Sequence, residues 1–105
     1  MKDAVVVLVT TPSAETAAQI ARTLVEEKLA ACGNVVPAIR SIYAWKGEVH
    51  DEPEALLVLK VPKRRLEELS DRVVELHPYE LPEVVALPIE GGHERYIDWI
   101  IQSMY

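Results

Sequence analysis

At 105 residues the chain has room for one domain, since domains typically take ~100 to 200 residues, and residues 1–105 are expected to form a single unit. Half of the residues are hydrophobic, 27% are charged, and Gly and Pro number only 4 and 7, a compact globular composition that argues against disorder. The net charge of -6 argues against a nucleic-acid partner, because affinity for phosphates comes from clustered Lys and Arg; the one basic run, Lys63-Arg64-Arg65, is answered nearby by Glu67, Glu68 and Asp71.

Ala4 to Thr10 is a continuous, β-branched run, as expected of a strand buried on both faces. Thr11-Pro12-Ser13 then offers hydroxyl caps, with Glu15 favoured in the first turn of a helix. In that helix Ala17, Ile20, Ala21, Leu24 and Leu29 recur at roughly helical spacing and form the inward stripe. Gly33-Asn34 punctuates, and Val35 to Trp45 reads as a long strand in which Pro37 forfeits a ladder donor. Lys46-Gly47-Glu48 supplies turn chemistry, and Glu54 to Val61 returns as an apolar strand, which predicts a hairpin with a polar loop, GEVHDEP, at its tip.

Pro62 ends that strand. Lys63 to Leu76 carries Leu66, Leu69, Val73 and Leu76 on one helical face, with Glu68 and Arg72 as an i,i+4 pair. After HPYELP, Glu83 to Ile89 is a last strand that Pro88 marks as an edge or a bulge. Gly91-Gly92 turns the chain into a final helix from His93 to Met104, with Tyr96, Ile97, Ile100, Ile101 and Met104 inward. The order β-α-β-β-α-β-α is that of an α+β, ferredoxin-like βαββαβ sandwich with an extra C-terminal helix. Helices are expected to cover one sheet face, and the opposite apolar face then calls for self-association.

The single cysteine, Cys32, has no partner within the chain. No apolar stretch of signal-peptide length precedes Pro12, and no run approaches the ~20 residues of a membrane span, so a cytoplasmic protein with no membrane partner is expected. Cys32 sits in the apolar context LAACGNVV and reads as a structural residue, against the alternative of a soft metal ligand or reactive thiol.

The segment HPYELPEV, His77 to Val84, supplies His77, Glu80 and Glu83, residue types that ligate metals or exchange protons. Pro78 and Pro82 deny that spacing a regular helix. In the structural reading Pro78 stops the second helix, Tyr79 packs on the sheet, Pro82 aims the next strand and His77 bonds a carbonyl. His50, Asp51, Glu52 and Glu54 form an acidic hairpin tip that reads as a flexible solvated loop rather than a divalent-cation site. Tyr43 and Trp45 sit two apart, share a strand face, and line either a ligand cleft or a subunit contact. The sequence has no phosphate-cradling glycine loop, no nucleophile elbow, and no serine with a neighbouring base, so no catalytic residue is assigned and no organic cofactor is implied.

The ordered set of TTP after strand one, EEKLAACGNVVP around Cys32, Ser41 to Glu48 with the pattern S-x-Y-x-W-K-G-E, Lys60, HPYELPEV and Tyr96 to Trp99 resembles the CutA family of divalent-cation tolerance proteins over nearly the whole chain. The resemblance implies a non-enzymatic, ferredoxin-like subunit in a tight homotrimer of PII-like architecture. It also implies copper or other divalent-metal tolerance, with copper binding described for members. It places His77, Pro78 and Tyr79 near a cleft between subunits, with Tyr43, Trp45 and Lys60 as neighbours. Some relatives carry a Cys at the end of strand one and a second His before His-Pro-Tyr, where this sequence has Val9 and Leu76. The expected metal set is therefore His77 with Glu80 or Glu83, a modest N/O site for Cu(II) or a similar cation. The alternatives are a PII-like sensor of a small anionic ligand, motivated by Lys60 and Arg40 on adjacent strands, and a purely structural trimer.

Overall fold

The computed structural model describes residues 3–102. Four strands and three helices follow in the order β1 (Ala4–Thr11), α1 (Ala14–Glu26), β2 (Cys32–Trp45), β3 (Glu48–Pro62), α2 (Leu66–Leu76), β4 (Val85–Pro88) and α3 (Glu94–Gln102), with a short 3-10 turn over Lys63–Arg65 before α2. The strands form one antiparallel sheet in the order β2-β3-β1-β4. This is the ferredoxin-like arrangement expected from the element order.

Alternation along the strands divides the sheet into two faces. Val5, Val7 and Val9 of β1 and Ala55, Leu57, Leu59 and Val61 of β3 are buried beneath Ala17, Ile20, Ala21 and Leu24 of α1 and Leu69 and Val73 of α2. The small residues on α1 allow close approach: a Cβ added at Gly33 of β2 would stand 2.9 Å from the Ala21 Cβ. Ser13 caps α1, its hydroxyl accepting from the Thr16 N–H at 3.1 Å, as the hydroxyl cluster predicts.

The second face is covered only in part. α3 does not join α1 and α2; its Ile97 and Ile100 pack on Ala4 in a separate cluster with Ala31, Ile89 and Ile101 at one end of that face. Tyr96, expected inward, is 42% exposed, and Met104 lies outside the described residues. β4 is the edge strand that Pro88 implies, although it begins at Val85 rather than Glu83. The expected Glu68–Arg72 pair is replaced: Glu68 meets Arg65 at 2.9 Å, while Arg72 reaches across to Glu27 at the end of α1 through two 2.9 Å bonds.

The largest departure is the hairpin. GEVHDEP is not a loop; β3 starts at Glu48, and Trp45 pairs with Glu48 across a two-residue turn of Lys46 and Gly47. Both turn residues have positive φ, 52° and 82°, the requirement of a type I′ turn, whose twist matches that of the flanking strands. Since β1 reaches only as far as Ala55 of β3, the outer parts of β2 and β3 pair only with each other and project as a two-stranded arm. Arg40 clamps Asp51 across the arm with bonds of 2.8 and 2.6 Å, and Tyr43 stacks on His50 with ring centroids 5.1 Å apart.

Candidate functional site

A bulge in β2 that contains Pro37 and Ala38 sets which way the arm's side chains point. The β2–β3 register slips between Val36, opposite Leu56, and Ile39, opposite Glu54, so that β2 holds one residue more than β3 over this stretch. A one-residue slip exchanges the two faces of a strand. Beyond the bulge Ser41, Tyr43 and Trp45 therefore share the face of Glu48, His50, Glu52 and Glu54, the face opposite α1 and α2.

The corner HPYELPEV closes the other side. His77 terminates α2, its N–H donating to the Val73 carbonyl at 2.9 Å. Its ring is buried, and both nitrogens are occupied by backbone: Nδ1 accepts from the Tyr79 N–H at 3.1 Å, and Nε2 lies 2.7 Å from the Thr10 carbonyl. A backbone N–H only donates and a carbonyl only accepts, so the proton of the neutral ring resides on Nε2. Tyr79, its ring centroid 4.7 Å from that of His77, leans out so that its hydroxyl donates to Glu54 Oε2 at 2.7 Å. Burial, then the Glu54 carboxylate, pushes the Tyr79 phenol well above its ordinary range. The Tyr43 hydroxyl donates to Glu52 Oε1 at 2.7 Å, and this bond to a carboxylate likewise raises its phenol.

Between arm and corner lies a cleft of about 680 Å³ whose walls include Tyr43, Trp45, Tyr79, Glu54, Glu80 and Glu83. Lys46 is the one basic residue among the described residues that line it, and the Lys46 ammonium stands 5.5 Å from the centre of the Trp45 ring. The cleft thus combines aromatic walls with three carboxylates.

Tyr43, Trp45 and Tyr79, which the resemblance places near a cleft between subunits, line this cleft within one chain together with Glu54 and Thr10, which the sequence reading did not place there. Glu54 was legible in principle, because strand parity puts it on the face of Tyr43 and Trp45 once the bulge is known. Lys60 is not a cleft residue. It sits six positions further along β3, opposite Cys32, and its ammonium donates to Asn34 Oδ1, which also lies 3.7 Å from Cys32 Sγ. Cys32 is half-buried on β2, outside the core cluster that LAACGNVV suggested. Pro78 is exposed just past the end of α2, and Pro82 is half-buried ahead of β4.

His77, Glu80 and Glu83 are not assembled as a ligand set within one chain. Both nitrogens of the His77 ring are committed to backbone, Nδ1 through its lone pair and Nε2 through its proton, and among the described residues no three His, Cys, Asp or Glu side chains converge on a point that suits an ion. The acidic residues of the arm lie in paired strands rather than in a solvated loop, with Asp51 held by Arg40, Glu52 by Tyr43 and Glu54 by Tyr79.

Sequence and structure comparisons agree with this geometry over the length of the chain. Residues 5–103 match the model of the CutA1 divalent ion tolerance protein family. The chain belongs to that family. It is 53% identical over 98 residues to the divalent-cation tolerance protein CutA of Thermus thermophilus, covering 93% of this chain and 95% of that protein. It spans about half the length of several plant and animal CutA proteins, 54% of the Arabidopsis thaliana one and 52% of the human one. The solved structure of the periplasmic divalent cation tolerance protein CutA from Archaeoglobus fulgidus superposes with a TM-score of 0.93 at 34% identity, covering 97% of this chain and 99% of that one. The PII-like protein CutA from Nostoc sp. PCC 7120 gives 0.88 at 41% identity, covering 96% and 97%. No helix among the described residues is long and apolar enough to cross a membrane.

Proposed function

We propose that the protein is a non-enzymatic, cytoplasmic homotrimer of divalent-metal tolerance that holds ions such as Cu(II) with modest affinity at its corner cleft. The observation that carries this reading is the wall of Glu54, Glu80 and Glu83, faced by a single lysine, in a chain of net charge -6. Carboxylates without thiolates or free imidazole favour weak, oxygen-based coordination, since soft ligands are what would select Cu(I). His77 then serves as the anchor of the corner, and Glu80 and Glu83 are the ligands.

Self-association is supported by what a single chain leaves uncovered. Val85 and Leu87 are 45% and 47% exposed on β4, and Ile42 and Val49 are 65% and 78% exposed on the arm. A lone two-stranded ribbon is marginal in water, so the arm calls for a neighbouring surface. The Nostoc relative is PII-like, which fits an oligomer, and the resemblance to CutA proteins implies three copies.

Equilibrium dialysis against Cu(II) and Zn(II), with light scattering of the same sample, tests both parts. The expected results are a mass of three 11.8 kDa chains, metal bound by the wild type and by His77→Ala, and binding lost in Glu80→Gln/Glu83→Gln. A wild type that binds neither ion overturns the metal reading and leaves a structural trimer. For the alternative of a small anionic ligand, the cleft within one chain offers little, because Arg40 is held by Asp51 and Lys60 lies outside that cleft.

A further inference from the structure

A cleft of about 680 Å³ is far larger than one coordinated ion requires and falls in the range of small-molecule sites. Its composition narrows the class of molecule. Three rings, those of Tyr43, Trp45 and Tyr79, line it together with Glu54, Glu80 and Glu83. Carboxylates repel an anion, and a neutral apolar ligand would leave them desolvated without a partner. No three of the carboxylates converge on one point, so an ion held by Glu80 and Glu83 alone would leave most of the cleft unfilled. Dispersed negative charge between aromatic walls suits a long, flexible cation, whose methylenes lie on the rings while its charged groups reach separate carboxylates. The protein already shows half of this chemistry internally, since the Lys46 ammonium rests above the Trp45 ring. Two of the rings are also braced from behind, Tyr43 by the stacked His50 and Tyr79 by His77, and both hydroxyls are tied to carboxylates. Little ordering is left for a ligand to impose on them.

We propose that this cleft binds a linear aliphatic polyamine, with ammonium groups on Glu80 and Glu83 and the alkyl chain across Trp45, Tyr43 and Tyr79. The inference rests on the reading of the cleft as the cation site and names the cation class that its shape fits. Trp45 is the discriminating residue. A metal ion has no use for an indole, whereas an ammonium above it gains cation–π attraction.

Isothermal titration of the native protein with spermidine, beside Cu(II) dialysis on the same preparations, tests it. Spermidine is expected to bind the wild type with saturation, about tenfold more weakly in Trp45→Ala, and nearly normally in Trp45→Phe, which keeps an aromatic face. Cu(II) binding is expected to be unchanged in both variants, and Glu80→Gln/Glu83→Gln is expected to lose both ligands. Metal binding without spermidine binding overturns the polyamine proposal and leaves the metal reading intact. Equal spermidine affinity in wild type and Trp45→Ala also overturns it, because attraction to a negative surface would then be the whole effect. If neither ligand binds, both readings fall.

Discussion

The Nε2 atom of His77 lies 2.7 Å from the carbonyl oxygen of Thr10, a residue 67 positions earlier in the chain, and so ties the end of α2 to the end of β1. The Nδ1 atom of the same ring holds the next turn of the corner through the Tyr79 N–H. His77→Ala removes both bonds and leaves a part-buried carbonyl without its donor, at a cost of about 1–3 kcal/mol. Urea denaturation of the two proteins reads this directly. A His77→Ala protein as stable as the wild type, but unable to bind metal, would reverse the assignment of His77 from anchor to ligand.

Gly33 is required for space rather than for backbone freedom. An added methyl group would meet Ala21 Cβ at 2.9 Å and Leu59 Cδ2 at 3.2 Å, forcing α1 away from the sheet. Gly33→Ala is expected to lower stability by about 1–3 kcal/mol through overpacking. The double variant Gly33→Ala/Ala21→Gly should recover part of that loss in thermal unfolding, despite the helix penalty of glycine. No recovery would show that the clash lies elsewhere.

Alkaline stability should depend on Tyr79. Its phenol is held above the ordinary value of 10.0 by burial and by the Glu54 carboxylate, so the folded chain binds the phenolic proton more tightly than the unfolded chain does. That contribution is present in full below about pH 10 and is lost as the pH rises beyond it. Tyr43, bonded to Glu52, and Tyr96, raised first by burial and then by Cys32, act in the same direction. Denaturant midpoints measured from about pH 9 to about pH 11 should fall more steeply for the wild type than for Tyr79→Phe. Parallel curves would rule out the coupling.

The clasp between Arg72 and Glu27 joins α2 to α1 on the surface, and the guanidinium lowers the Glu27 carboxyl through its paired bonds. Arg72→Ala is expected to reduce the melting temperature at low salt, with the difference shrinking near 1 M salt, where the screening length falls to about 3 Å. The contribution of Glu27 is present above the usual carboxylate range and is lost as the pH falls through it, so acid should erase the same difference. A deficit that persists in acid and in high salt would point to lost packing of the Arg72 stem instead.

What could be read from the sequence is what depends on local period and on backbone chemistry. The stripe of Ala17, Ile20, Ala21 and Leu24, the face of Leu69 and Val73, the Ser13 cap and the edge position of the Pro88 strand all follow from spacing or from a missing N–H. The element order fixed the sheet topology, and parity placed Tyr43 and Trp45 together. The prolines marked HPYELPEV as a corner.

Tertiary structure alone decided the rest. EVHDEP is polar, yet it is strand, because cross-strand partners such as Arg40 for Asp51 and Tyr43 for His50 supply what its own propensities lack. The face that Tyr43 presents depends on a bulge at Pro37, whose register is set by β3. The role of His77 depends on a carbonyl in β1, and the place of Lys60 on its pairing opposite Cys32. Sequence period specifies which residues of an element lie together, but the partners of a polar group are chosen by elements far away in the chain, and here those partners separate an anchoring histidine from the carboxylates that face the cleft.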